Sequence, residues 1–202
     1  DAFVPLLKYM AGVILALAIQ CVVVYMVILR MFTGLSPRVF LKKFLPVMGF
    51  AFSTATSNAT IPMSIETLHR KMGVSKRVSS FTIPLGATIN MDGTAIMQGV
   101  AVVFAAQAFS IHLSAADYLT VILTATLASI GTAGVPGAGM VMLTMVLQSV
   151  NIPIEGIALV AGIDRLFDMG RTTINITGDA ACALIVSKME DRKEARTRAV
   201  RG

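Results

Sequence analysis

From Tyr9 to Leu29 the chain runs 21 residues without a charged side chain. At 1.5 Å of rise per residue, an α-helix of that length crosses a hydrocarbon core of about 30 Å. Composition extends the inference to the rest of the chain: 55% of its 202 residues are hydrophobic and 14% are charged, against about a quarter charged in soluble domains. The sequence therefore predicts an all-α membrane protein. It opens on Asp1, with neither an initiator methionine nor the charged n-region of a signal peptide, which reads as a piece or processed part of something longer. Cys21 and Cys182 lie in apolar runs without metal-ligand spacing, so two buried thiols are expected rather than a disulfide or a zinc site.

The other apolar stretches are interrupted. Residues 40–65 are broken by STATSNAT (53–60), whose small hydroxyl and amide side chains compete for backbone hydrogen bonds. Residues 78–109 contain NMDGT (90–94), so a broken helix is expected at 88–94. Between Asp117 and Glu155 lie 37 uncharged residues centred on SIGTAGVPGAG (129–139). Four glycines and a proline suit two half-helices meeting at a tip better than one continuous helix.

Loop charge discriminates between layouts. If 40–65 and 117–155 are re-entrant helical hairpins that enter and leave on one side, segments 30–43, 69–77 and 188–202 share a face. Together they hold 14 of the 17 Lys and Arg residues. The opposite face receives Asp1, Lys8, His112, Asp117 and Glu155. Full crossings would divide the basic loops between the two sides. The positive-inside rule then puts the basic face and the C-terminus in the cytoplasm of a multi-pass plasma or inner membrane. The basic tail lacks interleaved aromatics, so it reads as a topological signal and no nucleic-acid partner is expected.

The last apolar stretch, 157–187, carries Asp164, Arg165, Asp168, Arg171 and Asp179. At 100° per residue, Asp164, Asp168, Arg171, Asn175 and Asp179 fall within an arc of about 80°, with Thr172 and Arg165 at its margin. Each charge at mid-membrane depth costs about 2.5 to 3.5 kcal/mol on insertion scales, so the stripe must be paired, hydrated or ligand-bound. An internal Asp/Arg network that merely joins helices is one reading. Three carboxylates against two guanidiniums leave spare oxygen, however, and Asn175 adds a neutral one, a set suited to a small hard cation. Asn90, Asp92 and Thr94 sit beside unwound carbonyls, the pattern of ion and substrate sites in discontinuous membrane helices. The order of hairpin then helix occurs twice, and TIN recurs at 88–90 and 173–175. Such a plan predicts an inverted repeat with the site between its halves.

The motifs NMDGT (90–94), SIGTAGVPGAG (129–139) and DMGRTTINITGD (168–179), in this order and spacing, resemble the glutamate and neutral amino acid transporter family, the dicarboxylate/amino acid:cation symporters. The resemblance covers essentially all of residues 1–202. It implies that 9–32 is the family's sixth helix, followed by hairpin one, helix seven, hairpin two and helix eight. These form most of a mobile transport domain; the upstream scaffold helices that build a homotrimer are absent from this chain. It further implies that Asp168 holds the substrate ammonium, Arg171 the side-chain carboxylate, and Thr172 and Asn175 the α-carboxylate. Thr94, Ser57 and the backbone near Val135 and Gly139 would complete the pocket. Gly86, Asn90, Asn175 and Asp179 would form one Na⁺ site. Thr88, Met91, Ser129, Ile130 and Thr132 would offer mainly carbonyls to a second, and Asn90 with Asp92 would be part of a third. The first tip, ATSNA (55–59), departs from the family's serine-rich pattern, which bears on Ser57.

The expected function is secondary active symport of aspartate or glutamate with Na⁺ across a lipid bilayer. A C4-dicarboxylate has no ammonium for Asp168, and a neutral amino acid has no side-chain carboxylate for Arg171. Proton coupling stays open, since carboxylates serve either ion. A passive channel would need neither paired charges nor closable glycine-rich tips. No enzyme is expected: His69 and His112 fall at loops, and no nucleophile-base spacing occurs.

Overall fold

The computed structural model describes residues 3–201, and the expected placement of Asp1 lies outside the described residues. Among those residues every regular element is helical. Helix α1 (Phe3–Ile19), a π-helical segment (Gln20–Tyr25) and α2 (Met26–Thr33) form one uninterrupted rod. Gly34 ends it in the left-handed conformation, φ 72°, its N–H donating to the Arg30 carbonyl at 2.9 Å. Glycine adopts that conformation without steric penalty.

Helices α3 (Pro37–Thr54) and α4 (Ser57–Met72) are joined by only Ala55 and Thr56. The break falls inside the interruption read at 53–60. Ala55 takes φ 52° and Thr56 is extended; the positive φ is uncommon for a residue with a β-carbon. The chain reverses there, and Lys43 Nζ near the start of α3 donates to the Lys71 carbonyl near the end of α4, at 2.6 Å. Helices α5 (Lys76–Ile89) and α6 (Asp92–Ala108) are separated by Asn90 and Met91, the expected broken helix. Helices α7 (Ala115–Ile130) and α8 (Ala138–Ser149) flank the glycine-rich tip. Ser114 and Asp117 form a reciprocal capping box at the start of α7, and the Ser114 donors hold the Asp117 carboxyl below its ordinary pKa.

Helix α9 (Gly156–Arg201) is 46 residues long and joins two apolar clusters. One gathers Val13, Met97, Val102, Leu143, Leu147 and Phe167. The other gathers Leu29, Phe40, Phe44, Leu68, Ile83 and Ile176. The rod Val4–Thr33 and the broken pair Lys76–Ala108 are long and apolar enough to cross a membrane. Leu15, Val22, Leu123, Leu127 and Val141 face outward, as a lipid environment permits. One expectation is corrected. Cys182 is exposed while Cys21 is buried, both as free thiols, because an apolar run in a membrane helix includes an outward side. Arg165, placed at the margin of the stripe, is exposed.

Candidate functional site

Asp168, Arg171, Thr172, Asn175 and Asp179 on α9 are all buried, none more than 5% exposed. Their common direction follows from the helical period. Arg171 is the hub. Its Nη1 lies 3.1 Å from Asp164 Oδ1, while Nη2 and Nε lie 2.9 and 3.1 Å from Asp168 Oδ1. The guanidinium presses on the start of α8, where a β-carbon at Gly139 would sit 2.9 Å from Arg171 Cζ. Asp168 Oδ2 accepts from the Gly137 backbone N–H at 2.8 Å. Gln98 Nε2, fully buried, donates to the Gly139 carbonyl at 3.1 Å.

Asn175 links α9 to the broken helix. Its Oδ1 accepts from Gly93 N at 2.8 Å, and its Nδ2 faces Met91 Sδ at 3.2 Å and Thr94 Oγ1 at 3.4 Å. A thioether is a weak acceptor, so the Asn175 amide is readily surrendered to a better one. Gly93 has no room for a side chain, since a β-carbon would lie 2.8 Å from the Arg171 carbonyl.

The tips on either side of this cluster touch each other. Thr56 Oγ1 and Asn58 N both donate to the Gly134 carbonyl, at 2.6 and 3.3 Å. Beneath them, Ser57, Thr94, Val135, Gly139, Asp168, Arg171, Thr172 and Asn175 line one cavity. Every residue assigned to substrate is thus brought together, with Val135 exposed at the rim. The cavity encloses about 10 Å³, space for about a single water. The first turns of α4, α6 and α8 contribute Ser57, Thr94 and Gly139 to its wall. Helix N-termini carry partial positive charge and attract carboxylates.

Of the residues assigned to cations, Gly86, Thr88 and Asn90 lie at the C-terminal end of α5 and Ser129 and Ile130 at that of α7, whereas Asp92 opens α6 and Asn175 and Asp179 lie within α9. Asn90 Nδ2 donates to Asp179 Oδ1 at 2.8 Å and to the Asn175 carbonyl at 3.2 Å. A β-carbon on Gly86 would overlap the Asp179 carboxylate. Gly86, Asn90, Asn175 and Asp179 are therefore one cluster at the C-terminus of α5. It opens on an apolar groove of about 850 Å³ walled by Ile28, Phe81, Leu85 and Ile185. The second set is looser. Met91, Ser129 and Thr132 are buried, whereas the side chains of Thr88 and Ile130 face outward. Ser129 and Thr132 hydroxyls donate to the carbonyls of Thr126 and Ala128, leaving backbone oxygens as the available ligands. Among the described residues no three His, Cys, Asp or Glu side chains come together to hold a metal. Single carboxylates among neutral oxygens fit a hard cation, not zinc.

Four participants escaped the sequence reading as site residues: Asp164, Gln98, Gln20 and Tyr25. Asp164 was visible on the stripe. Gln20 and Tyr25 both donate to Asp92 Oδ2, Gln20 at 2.6 Å, but they lie in an apolar run about 70 residues upstream, where no periodicity announces them.

The profile of the sodium:dicarboxylate symporter family matches residues 1–189. An excitatory amino acid transporter of Caenorhabditis elegans is 43% identical over 200 residues, 96% of this chain and 40% of the relative. The human excitatory amino acid transporter 1 is 40% identical over 195 residues, and the human neutral amino acid transporter B(0) is 37% identical over 195. Both alignments cover 96% of this chain and 36% of the relative. The chain thus spans well under half the length of these curated relatives, all of them transporters by name.

Proposed function

The chain belongs to the sodium:dicarboxylate symporter family, and on that premise we propose that it is the substrate- and ion-binding portion of a Na⁺-coupled carrier for aspartate or glutamate. The observation that carries this reading is the buried Arg171–Asp168 pair, facing three helix N-termini inside one contracted cavity and backed by the partly buried Asp164 outside it. An acidic amino acid supplies one ammonium and two carboxylates. Its ammonium takes Asp168 and its side-chain carboxylate takes the Arg171 fork, exchanging an internal ion pair for two ligand pairs. Asp164 keeps Arg171 oriented when Asp168 is engaged, so the fork is not left unpaired. The α-carboxylate draws Asn175 Nδ2 away from Met91 Sδ and adds Thr172 and the α4 and α8 first turns. A neutral amino acid, as in the name of one relative, leaves Arg171 without a ligand carboxylate.

Ions take the oxygens around the α5–α6 break, the facing part of α9 and the end of α7. Asp179 with Asn90, Asn175 and Gly86 forms one site; carbonyls near Thr88, Met91 and Ser129 to Thr132 form a second; Asp92 with Asn90 contributes to a third. Met91 and Asn175 each belong to an ion set and touch the substrate cavity, which gives the two ligands a shared physical element. In this reading α3–α4 and α7–α8 are re-entrant hairpins of an inverted repeat, and the 129–139 tip gates the site. The chain is then part of a transport domain, joined to scaffold helices that assemble a homotrimer. The basic ends of α2 to α5 and α9 face the cytoplasm.

The test is radiolabelled aspartate uptake by the full-length protein in liposomes under imposed Na⁺ or H⁺ gradients. Uphill accumulation driven by Na⁺ is expected. Accumulation driven only by H⁺ overturns the coupling ion, and dissipation of the aspartate gradient without coupling favours a channel.

A further inference from the structure

Asp92 is held from across the fold by two side chains of the first rod. Gln20 Nε2 donates to Asp92 Oδ2 at 2.6 Å, and the Tyr25 hydroxyl donates to the same oxygen. These donors are five residues apart. In an α-helix such residues point about 140° away from each other, and both could not reach one atom. Gln20 and Tyr25 are, however, the first and last residues of the π-helical segment. Its wider turn, closed by i→i+5 hydrogen bonds, brings residues five apart closer to one face. The segment QCVVVY contains no Pro or Gly to force the distortion, and π insertions within α-helices gather at functional sites.

A second feature fixes the geometry from α9. A β-carbon at Gly178 would lie 2.7 Å from Tyr25 Oη and Cζ and 2.8 Å from Asn90 Nδ2. The glycine leaves a slot in which the Tyr25 ring lies beside Asn90, the residue that also binds Asp179. The Asp92 carboxylate is thereby loaded unevenly. Oδ2 has two strong donors, whereas Oδ1 has only Gly93 N at 3.2 Å. Both donors are neutral, so they orient the carboxylate without cancelling its charge, as a Lys or Arg partner would.

We propose that the π-helical segment is a positioning device for the ion site, in which Gln20 and Tyr25 clamp Asp92 Oδ2 and thereby present Oδ1 to the coupling cation. Neither residue lines the substrate cavity, so both act through Asp92 as positioning residues. The inference rests on the reading of Asp92 as a cation ligand in a Na⁺-coupled carrier.

The experiment measures aspartate binding to the full-length protein at stepped Na⁺ concentrations, for wild type, Tyr25→Phe and Gln20→Met. Each variant keeps the bulk of its side chain and loses its donor. The Na⁺ concentration for half-saturation should rise about tenfold in each, the loss of one hydrogen bond to a charged group. The aspartate affinity at saturating Na⁺ should stay within about twofold of wild type. In an Asp92→Asn background, Tyr25→Phe should add no further shift. Unchanged Na⁺ half-saturation in both single variants overturns the proposal, as does an equal shift when Asp92 is already Asn. A fall in aspartate affinity that saturating Na⁺ does not rescue overturns it too. A wild-type protein whose aspartate binding ignores Na⁺ would instead bring down the transport reading, and this inference with it.

Discussion

The Arg171 guanidinium rests on the backbone of Gly139, where a β-carbon would lie 2.9 Å from Cζ and 3.0 Å from Nη2. Asp164 and Asp168 hold the same guanidinium, so a shift at the start of α8 is felt directly at the fork. The second tip and the residue proposed to recognise the acidic side chain are therefore one mechanical unit.

Gly139→Ala should accordingly disturb recognition more than folding. The added methyl displaces the guanidinium, and aspartate affinity should fall about tenfold or more, with little change in unfolding temperature. Isothermal titration calorimetry and a thermal melt of the same preparation check both halves.

Arg171→Lys and Arg171→Cys should separate charge from shape. The lysine still neutralises Asp164 and Asp168 but lacks a bidentate fork; it should fold normally and bind aspartate at least ~30-fold more weakly. The cysteine leaves the buried Asp168 and the partly buried Asp164 without their cation, and breaking a fully buried pair costs about 3–5 kcal/mol, an upper bound here. It should melt earlier and bind no aspartate, while retaining some affinity for small neutral amino acids. Unchanged aspartate affinity in either variant removes Arg171 from the substrate site.

Asp179→Asn tests whether the buried carboxylate serves an ion. The amide preserves an oxygen for the Asn90 contact, which measures 2.8 Å, so stability in the absence of Na⁺ should be kept. Na⁺ half-saturation should rise at least about tenfold. Gly86→Ala, whose methyl would overlap the same carboxylate, should produce a similar shift. Loss of folding together with normal Na⁺ dependence in the surviving protein would mean that Asp179 only joins helices.

What the sequence disclosed divides along physical lines. Helix breaks were legible because local chemistry makes them: small hydroxyl residues at 53–60, NMDGT at 90–94, glycines and a proline at 129–139. The stripe from Asp164 to Asp179 was legible because charge in an apolar helix is costly and the helical period is fixed. The π segment was not legible, since Gln20 to Tyr25 has the composition of an ordinary apolar helix and the contacts that accompany it, with Asp92 and beside Gly178, are distant in sequence. Cys182 was misjudged for a related reason: hydropathy does not distinguish lipid from protein interior. Gln98 was passed over as one polar residue in an apolar run, although it holds the Gly139 carbonyl at 3.1 Å.

Gly134→Trp should prop the tips apart. A β-carbon at Gly134 already meets Asn58 Oδ1 at 2.9 Å and the Ala87 carbonyl at 3.2 Å, and both tip-to-tip hydrogen bonds end on its carbonyl. Aspartate should bind more weakly and with reduced dependence on Na⁺, and cysteine labelling within 131–139 should become faster.

The most direct test of Na⁺-coupled closure is to titrate aspartate into the full-length protein at several Na⁺ concentrations while following a fluorophore within 131–139. Ions and substrate that share a closed tip must raise each other's affinity by the same factor. The account predicts aspartate affinity climbing steeply with Na⁺, and a tip signal that reaches its endpoint only with both present. An aspartate affinity independent of Na⁺, or a tip that does not move, would contradict it.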